Sequence, residues 1–186
     1  MSCAASTAFA SASIRGFSAL IVTALLLAGC GGSTSSAITE STTTTRASNI
    51  NNALAQVRAA GVIGNELDVR PLRDPQVEDL RSAATRAEER GDFAGAQGIL
   101  TRALLITPDD PELLQWQAEL ALVEHQWAQA EQLATRSYAK GPQLGGLCRR
   151  NWTTLRIAAQ ARGDGAAAAQ AQQRVSVCTV APPTRM

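Results

Sequence analysis

The sequence repeats itself with a period of 34 residues, and this repeat constrains the fold more than any other feature. A period of this length, with small residues at fixed places, is typical of stacked pairs of helices. The sequence therefore predicts an all-α array of helix hairpins. At this offset Leu80 pairs with Leu114, Ala84 with Ala118, Ala87 with Ala121, Phe93 with Trp127, Ala96 with Ala130, and Pro108 with Pro142.

The first copy, residues 77–110, carries the most complete pattern. It reads Ala84-x-x-Ala87-x-x-x-Gly91-Asp92-Phe93-x-x-Ala96 and closes with Thr107-Pro108. This pattern closely resembles the tetratricopeptide repeat family. The resemblance implies that two helices approach each other at Ala84 and Ala96, and that Gly91 ends the first helix in a positive-φ conformation.

The second copy, residues 111–144, begins with Asp110 as a helix N-cap and proline at the first helical position. It departs from the family pattern at His125 and Gln126, where Gly-Asp is usual. We therefore expect His125 to occupy a solvent-facing turn between the two helices. A catalytic or metal role is disfavoured, because His125 has no second histidine or cysteine partner.

The third copy, residues 149–178, is shifted by four residues, and we expect the insertion at 141–147 to form a loop. It departs from the pattern at Arg156 and Gly165, which lie where Ala84 and Phe93 lie in the first copy. Three repeats over residues 77–178 are the usual minimum for a stable array. The resemblance thus implies a short solenoid of three hairpins.

One helix is predicted before the repeats, within residues 47–76. Ile50, Leu54 and Val57 fall on one helical stripe, and glycines and a proline then interrupt the pattern, which predicts a connector. Residues 179–186 form a tail.

The N-terminus has the features of an export signal. A short, mostly apolar run follows Arg15, and it ends in Leu27-Ala28-Gly29-Cys30, which resembles the lipobox of bacterial lipoproteins. The resemblance implies cleavage after residue 29, acyl chains such as palmitate on Cys30, and a membrane anchor. A plain export signal that precedes a cysteine is the alternative. Residues 30–46 are rich in Ser and Thr, which predicts a flexible tether.

The residue after Cys30 bears on location. Gly31 stands where an aspartate often signals retention at the inner membrane. For a Gram-negative bacterium, the resemblance therefore implies an anchor in the outer membrane, with the protein facing the periplasm.

Cys148 and Cys178 are predicted to form a disulfide. In the repeat alignment they lie just before the first helix of the third copy and at the end of its second helix, so antiparallel packing brings them together. Export places the pair in an oxidising compartment. The bond would staple a last repeat that no further helix covers. A redox-active pair is the alternative, although it lacks the close C-x-x-C spacing.

The family resemblance also implies a partner-binding groove, because the first helix of each repeat lines the concave face. The groove lacks the family's Lys/Asn/Arg carboxylate clamp, and its mixed acidic and apolar character suits a peptide or helix with basic and apolar residues. Trp116 and Trp152 are candidate anchors or, more economically, packing residues of the repeats. The implied groove positions are Glu78, Arg81, Thr85, Glu88, Gln115, Glu119, Leu122, Thr153 and Ile157.

Charge is distributed unevenly along the chain. Residues 40–131 carry 15 acids and 8 bases, whereas residues 136–186 carry 8 bases and one acid. The basic end could contact an anionic glycan, lipid headgroup or acidic partner, or its arginines could simply be solvated surface. The candidate basic patch in the third copy consists of Arg149, Arg150, Arg156, Arg162 and Arg174.

Several function classes are disfavoured. The net charge is +1 and aromatic residues make up 4% of the chain, so we expect no nucleic-acid partner. A single histidine, a single lysine and no Gly-x-Ser-x-Gly motif argue against a metal site, a nucleotide site and an esterase. We therefore expect no enzyme, cofactor or metal.

The sequence thus predicts a lipid-anchored adaptor or scaffold that binds an unidentified protein during envelope assembly. A direct binder of peptidoglycan or lipopolysaccharide, acting through the basic patch, is the alternative.

Overall fold

The computed structural model describes residues 52–64 and 72–179. The predicted signal peptide, the lipidation site Cys30, the Ser/Thr-rich tether, part of the connector and most of the tail lie outside the described residues.

The described residues form seven α-helices and no strand. The prediction of an all-α array of three hairpins with a preceding helix is confirmed. Each hairpin packs against the next, and the first helices of the second and third hairpins also touch. The helices are α1 (52–62), α2 (Pro75–Glu89), α3 (Phe93–Ile106), α4 (Pro111–Val123), α5 (Trp127–Lys140), α6 (Gly145–Ala161) and α7 (Gly165–Val177).

The turns inside the three hairpins share one backbone conformation. Gly91, His125 and Gly163 all have positive φ, at 74°, 59° and 77°. Glycine adopts this conformation without a steric cost, whereas histidine does not. His125 therefore replaces glycine in a turn whose geometry is otherwise unchanged, and its ring packs edge-on against Trp127 at 4.9 Å.

Aspartates begin four of the six hairpin helices. The Asp92 carboxylate accepts from the backbone N–H of Gly95, and the Asp164 carboxylate accepts from that of Ala167. Asp74 and Asp110 cap α2 and α4 in the same way. These caps satisfy N–H groups that have no partner inside the helix. The helix after the His125 turn, α5, has no side-chain cap.

Small residues allow the hairpins to pack closely around two clusters of buried side chains. Ala84 and Ala96 are both completely buried where α2 meets α3, as the repeat pattern predicts. The first cluster joins α2, α3 and α4 through Val77, Ala84, Ala87, Ala96, Leu100, Ala103, Leu113 and Leu120. The second joins α1, α4, α5 and α6 through Val57, Ala121, Leu122, Ala130 and Ala158.

The start of α6 differs from the prediction. The helix begins at Gly145 rather than near residue 149, so Cys148 lies inside it and not before it. The reason is a set of distant contacts. The N–H of Gly145 donates to the carbonyl of Cys178 at 2.7 Å, and Gly146 lies against the backbone of Gly61. These contacts hold a glycine-rich first turn that composition alone predicts to be a loop.

Candidate partner-binding site

Helix α1 covers much of the face formed by the first helices of the hairpins, α2, α4 and α6, which we call the groove face. Val57 is completely buried and packs with Ala121, Leu122 and Ala158. Side-chain hydrogen bonds from Arg149 and Arg156 on α6 also reach α1. The groove face is therefore occupied in part by a segment of the same chain.

The position of α1 determines which of the nine predicted groove residues are exposed. Gln115, Glu119, Leu122 and Thr153 are buried rather than exposed to a partner, because α1 and neighbouring helices cover them. Ile157 is half-buried and packs against the cluster that contains Val57. The prediction that the four buried residues line an open groove is wrong, and the assignment of Ile157 stays a prediction. The other four, Glu78, Arg81, Thr85 and Glu88, line an open cavity.

The open cavity has a volume of about 770 Å³ and lies between α1, α2, α4 and the start of α6. Apolar side chains and backbone complete its wall. Among the described residues, its charged lining balances four arginines against four glutamates, so this lining favours no single sign of ligand charge. The charged residues are Arg58, Arg73, Arg81, Arg150, Glu78, Glu88, Glu89 and Glu112.

Trp116 stands in the wall of this cavity and also packs against the first core cluster. Its Nε1 donates to Glu88 Oε2 at 2.8 Å. The guanidinium carbon of Arg81 lies 5.5 Å from its ring centre, within range of a cation–π contact. Contacts with Glu88 and Arg81 thus hold the ring in place. Trp116 is both a packing residue of the repeats and part of the cavity wall, so the two roles suggested by the sequence are compatible.

A network of alternating charges joins four helices, and three of its four members line the cavity. Arg58 of α1 donates to both carboxylate oxygens of Glu88, at 2.6 and 3.0 Å, and to Glu119 at 3.2 Å. Arg150 of α6 donates to the other oxygen of Glu119 at 2.6 and 2.8 Å. Glu119 is completely buried, so two arginines and Gln115 share its carboxylate. The four charges sum to zero.

The pKa of Arg58 is raised above its ordinary value. Desolvation is the largest single influence and lowers the pKa. The hydrogen bond to Glu88, together with the charges of Glu119 and Glu88, more than offsets that effect. Arg58 therefore remains fully charged in its half-buried position.

A second group of ion pairs lines the cavity between α2 and α4. Arg73 and Arg81 both pair with the same oxygen of Glu112, which ties the segment before α2 and α2 itself to α4. Arg58, Arg73 and Glu112 were missed by sequence reasoning. Only Arg58 carried a signal, since it directly follows Val57 on the predicted apolar stripe.

The five arginines predicted as a basic patch all have partners within the protein. Arg150 pairs with Glu119, Arg162 pairs with Glu131 at 2.7 Å, Arg156 donates to Gln56 and Gln160, and Arg174 lies over the Trp152 ring at 5.3 Å. Arg149 is only 3% exposed and donates to the carbonyl of Ala60 at 2.9 Å. Arg149 is therefore an interior residue and not part of a basic surface.

The remaining predicted pair, Cys148 and Cys178, is joined by a disulfide. The two Cα atoms are 5.7 Å apart and both side chains are buried. The bond links the first turn of α6 to the residue that ends α7. Neither cysteine lines the cavity, although Gly146 and Leu147, just before Cys148, do.

Neither a metal centre nor a membrane span is found in the described part of the chain. No three His, Cys, Asp or Glu residues among those described are grouped so that they could hold a metal ion. None of the described helices is both long and apolar enough to cross a bilayer.

A solved structure that the chain resembles is that of the globular C-terminal domain of P. aeruginosa LpoP. The two share 30% sequence identity with a TM-score of 0.53, and the match covers 56% of this chain and 99% of that domain. That share is about 104 of 186 residues, close to the length of the three hairpins. No family model and no curated protein matches the chain. The chain belongs to the family of the LpoP globular C-terminal domain.

Proposed function

We propose that this chain is a lipoprotein anchored through Cys30 to the periplasmic face of the outer membrane. It acts as an adaptor that binds another protein during envelope synthesis, with the making of peptidoglycan as the first candidate process. Its three hairpins are tetratricopeptide repeats. It works by binding, without catalysis and without a cofactor.

The observation that carries this proposal is the open cavity on the groove face. At about 770 Å³ it can take several side chains of a partner, and Trp116 and Arg81 offer residue types that are frequent at the centres of protein interfaces. Its balanced charges suit a polypeptide better than a uniformly anionic polymer. The basic-patch arginines already have partners within the protein, so no observation favours the polymer alternative.

The lipobox-like sequence that ends at Cys30 supports the location. The anchor restricts the adaptor to one surface, which raises its concentration near partners in the envelope. The groove face then supplies specificity.

The experiment compares two variants of the mature chain, residues 30–186, that place the same new side chain on one helix. Thr85→Arg fills the cavity, whereas Ser82→Arg adds the same bulk and charge to an exposed position of α2 outside its wall. Each protein is used to purify partners from its own cell envelope. We expect the unaltered chain and Ser82→Arg to capture the same partner protein in similar amounts. The amount captured by Thr85→Arg should be at least tenfold lower.

Two results contradict the proposal. Equal capture by both variants would show that the cavity does not bind the partner. Capture of purified sacculi that requires the basic-patch arginines and weakens with salt would instead support the polymer alternative.

A further inference from the structure

Helix α1 has the chemistry that the groove face is expected to bind. The sequence predicted a helix or peptide with apolar and basic residues, and α1 presents Val57 and Arg58 there. Val57 enters the apolar cluster of α4 and α6, while Arg58 reaches Glu88 on α2 and Glu119 on α4. One apolar and one basic side chain thus engage three helices.

The end of α1 also fits α6 closely. A Cβ on Gly146 would lie 2.4 Å from the carbonyl oxygen of Gly61, and a Cβ on Gly61 would lie 2.7 Å from the side chain of Arg150. Arg149 donates to the carbonyl of Ala60, which lies in the last turn of α1. Carbonyls in the last turn of a helix have no N–H partner within that helix. These contacts form a binding site on α6 for the end of a helix that carries a small residue such as Gly61.

The attachment of α1 is nevertheless small. Among the residues of α1, only Val57 is fully buried, and five of the eleven are exposed. Four of the hairpin helices, α3, α4, α5 and α6, by contrast, each pack against two or more neighbours. A segment with one deeply buried side chain opens at a lower free energy than the hairpins that carry the core.

The two carboxylates of the network each keep a hydrogen-bond partner when α1 leaves, although loss of Arg58 leaves the network with one net negative charge. Glu119 keeps Arg150 as a partner, and Glu88 keeps the Trp116 N–H. Opening therefore leaves no buried carboxylate without a partner, which would otherwise be the main obstacle to it.

We propose that α1 is an exchangeable intramolecular ligand of the groove face, and that the protein partner binds there with a helix that presents an apolar residue followed by arginine. The partner helix takes the place of α1 and reaches Glu88 and Glu119 with its arginine. This inference rests on the proposed function for the existence of a partner, but the exchange itself is tested without one.

The first test is amide hydrogen exchange on the unaltered mature chain. If α1 detaches locally, its amides exchange at least 100-fold faster than the amides of α4, which need global unfolding. Equal protection of α1 and α4 would overturn the proposal, because α1 would then be an inseparable part of the core.

The second test uses a fluorescent peptide of residues 50–64 added to full mature chains. Val57→Asp removes the apolar contact of the resident α1, so the added peptide binds this chain at least tenfold more tightly than the unaltered one. Ala55→Asp is the matched control, because Ala55 is exposed on the same helix and does not line the cavity, and it keeps the unaltered affinity. A peptide carrying Arg58→Ala binds at least tenfold more weakly.

No peptide binding by a Val57→Asp chain with native circular dichroism would contradict the proposal. If that chain does not fold, the exchange measurement on the unaltered chain decides alone. Neither assay contains the envelope partner, so exchange of α1 can hold even if the capture experiment above fails.

Discussion

Removing the disulfide by the double substitution Cys148→Ala and Cys178→Ala should destabilise the protein strongly. The bond joins the first turn of α6 to the end of the last helix, which buries only Ala168 and Ala171 against the rest of the body. Two buried alanines contribute little apolar area. The bond therefore restrains a helix that packing alone holds weakly.

The magnitude follows from the loop that the bond closes. Its two cysteines are 30 residues apart in sequence. On the chain-entropy relation, a loop of this length gives about 12 cal/mol/K, or about 3.6 kcal/mol at 25 °C. For a domain of this size, 1 kcal/mol corresponds to about 3 to 5 °C in Tm, so we expect the Tm to fall by about 10 to 18 °C.

Thermal unfolding of the mature chain followed by circular dichroism measures this change. Addition of a reductant during unfolding should lower the Tm of the unaltered protein toward that of the double variant and leave the variant unchanged. A fall of less than about 3 °C would refute the reasoning, because it would mean that the third hairpin is held by its packing rather than by the bond.

Three further predictions test single features. Gln126→Asp supplies the missing cap of α5, as Asp92 does for α3, and should raise the free energy of unfolding by about 1 kcal/mol in denaturant titrations. Hydrogen bonds from Lys140 and Arg136 lower the pKa of Asp109, so NMR titration should find it below its ordinary value and Arg136→Gln should move it back up. The stability linked to Asp109 is present above its unfolded pKa and is lost as pH falls through the folded pKa. Cys30→Ala should abolish labelling by a palmitate analogue, and an unchanged label would refute the anchor.

The hairpins could be predicted because their signals are local. Small residues at Ala84 and Ala96, glycine at 91 and aspartate caps each act within one turn or one helix pair. Repetition of these signals at one period then specifies the stacking. Even His125, which breaks the pattern, keeps the positive φ of the turn, because the helices on both sides fix the backbone there.

The groove could not be predicted because its contents depend on distant contacts. The stripe through Val57 predicted a helix, but nothing local indicates that this helix packs on α4 and α6. Burial of Glu119 and Arg149 follows from that packing, since α1 supplies the partners Arg58 and the Ala60 carbonyl. Residue type alone suggested exposed charges at both positions.

The central claim, that a partner protein binds in the cavity of the groove face, is tested most directly by site-specific photocrosslinking in living cells. A photoreactive phenylalanine analogue is placed at Thr85 in the cavity wall and, in a separate chain, at Ser82 on the outer side of α2. The account predicts a covalent adduct with one envelope protein from position 85 and none from position 82. Adducts of equal yield from both positions, or from position 82 alone, would contradict it.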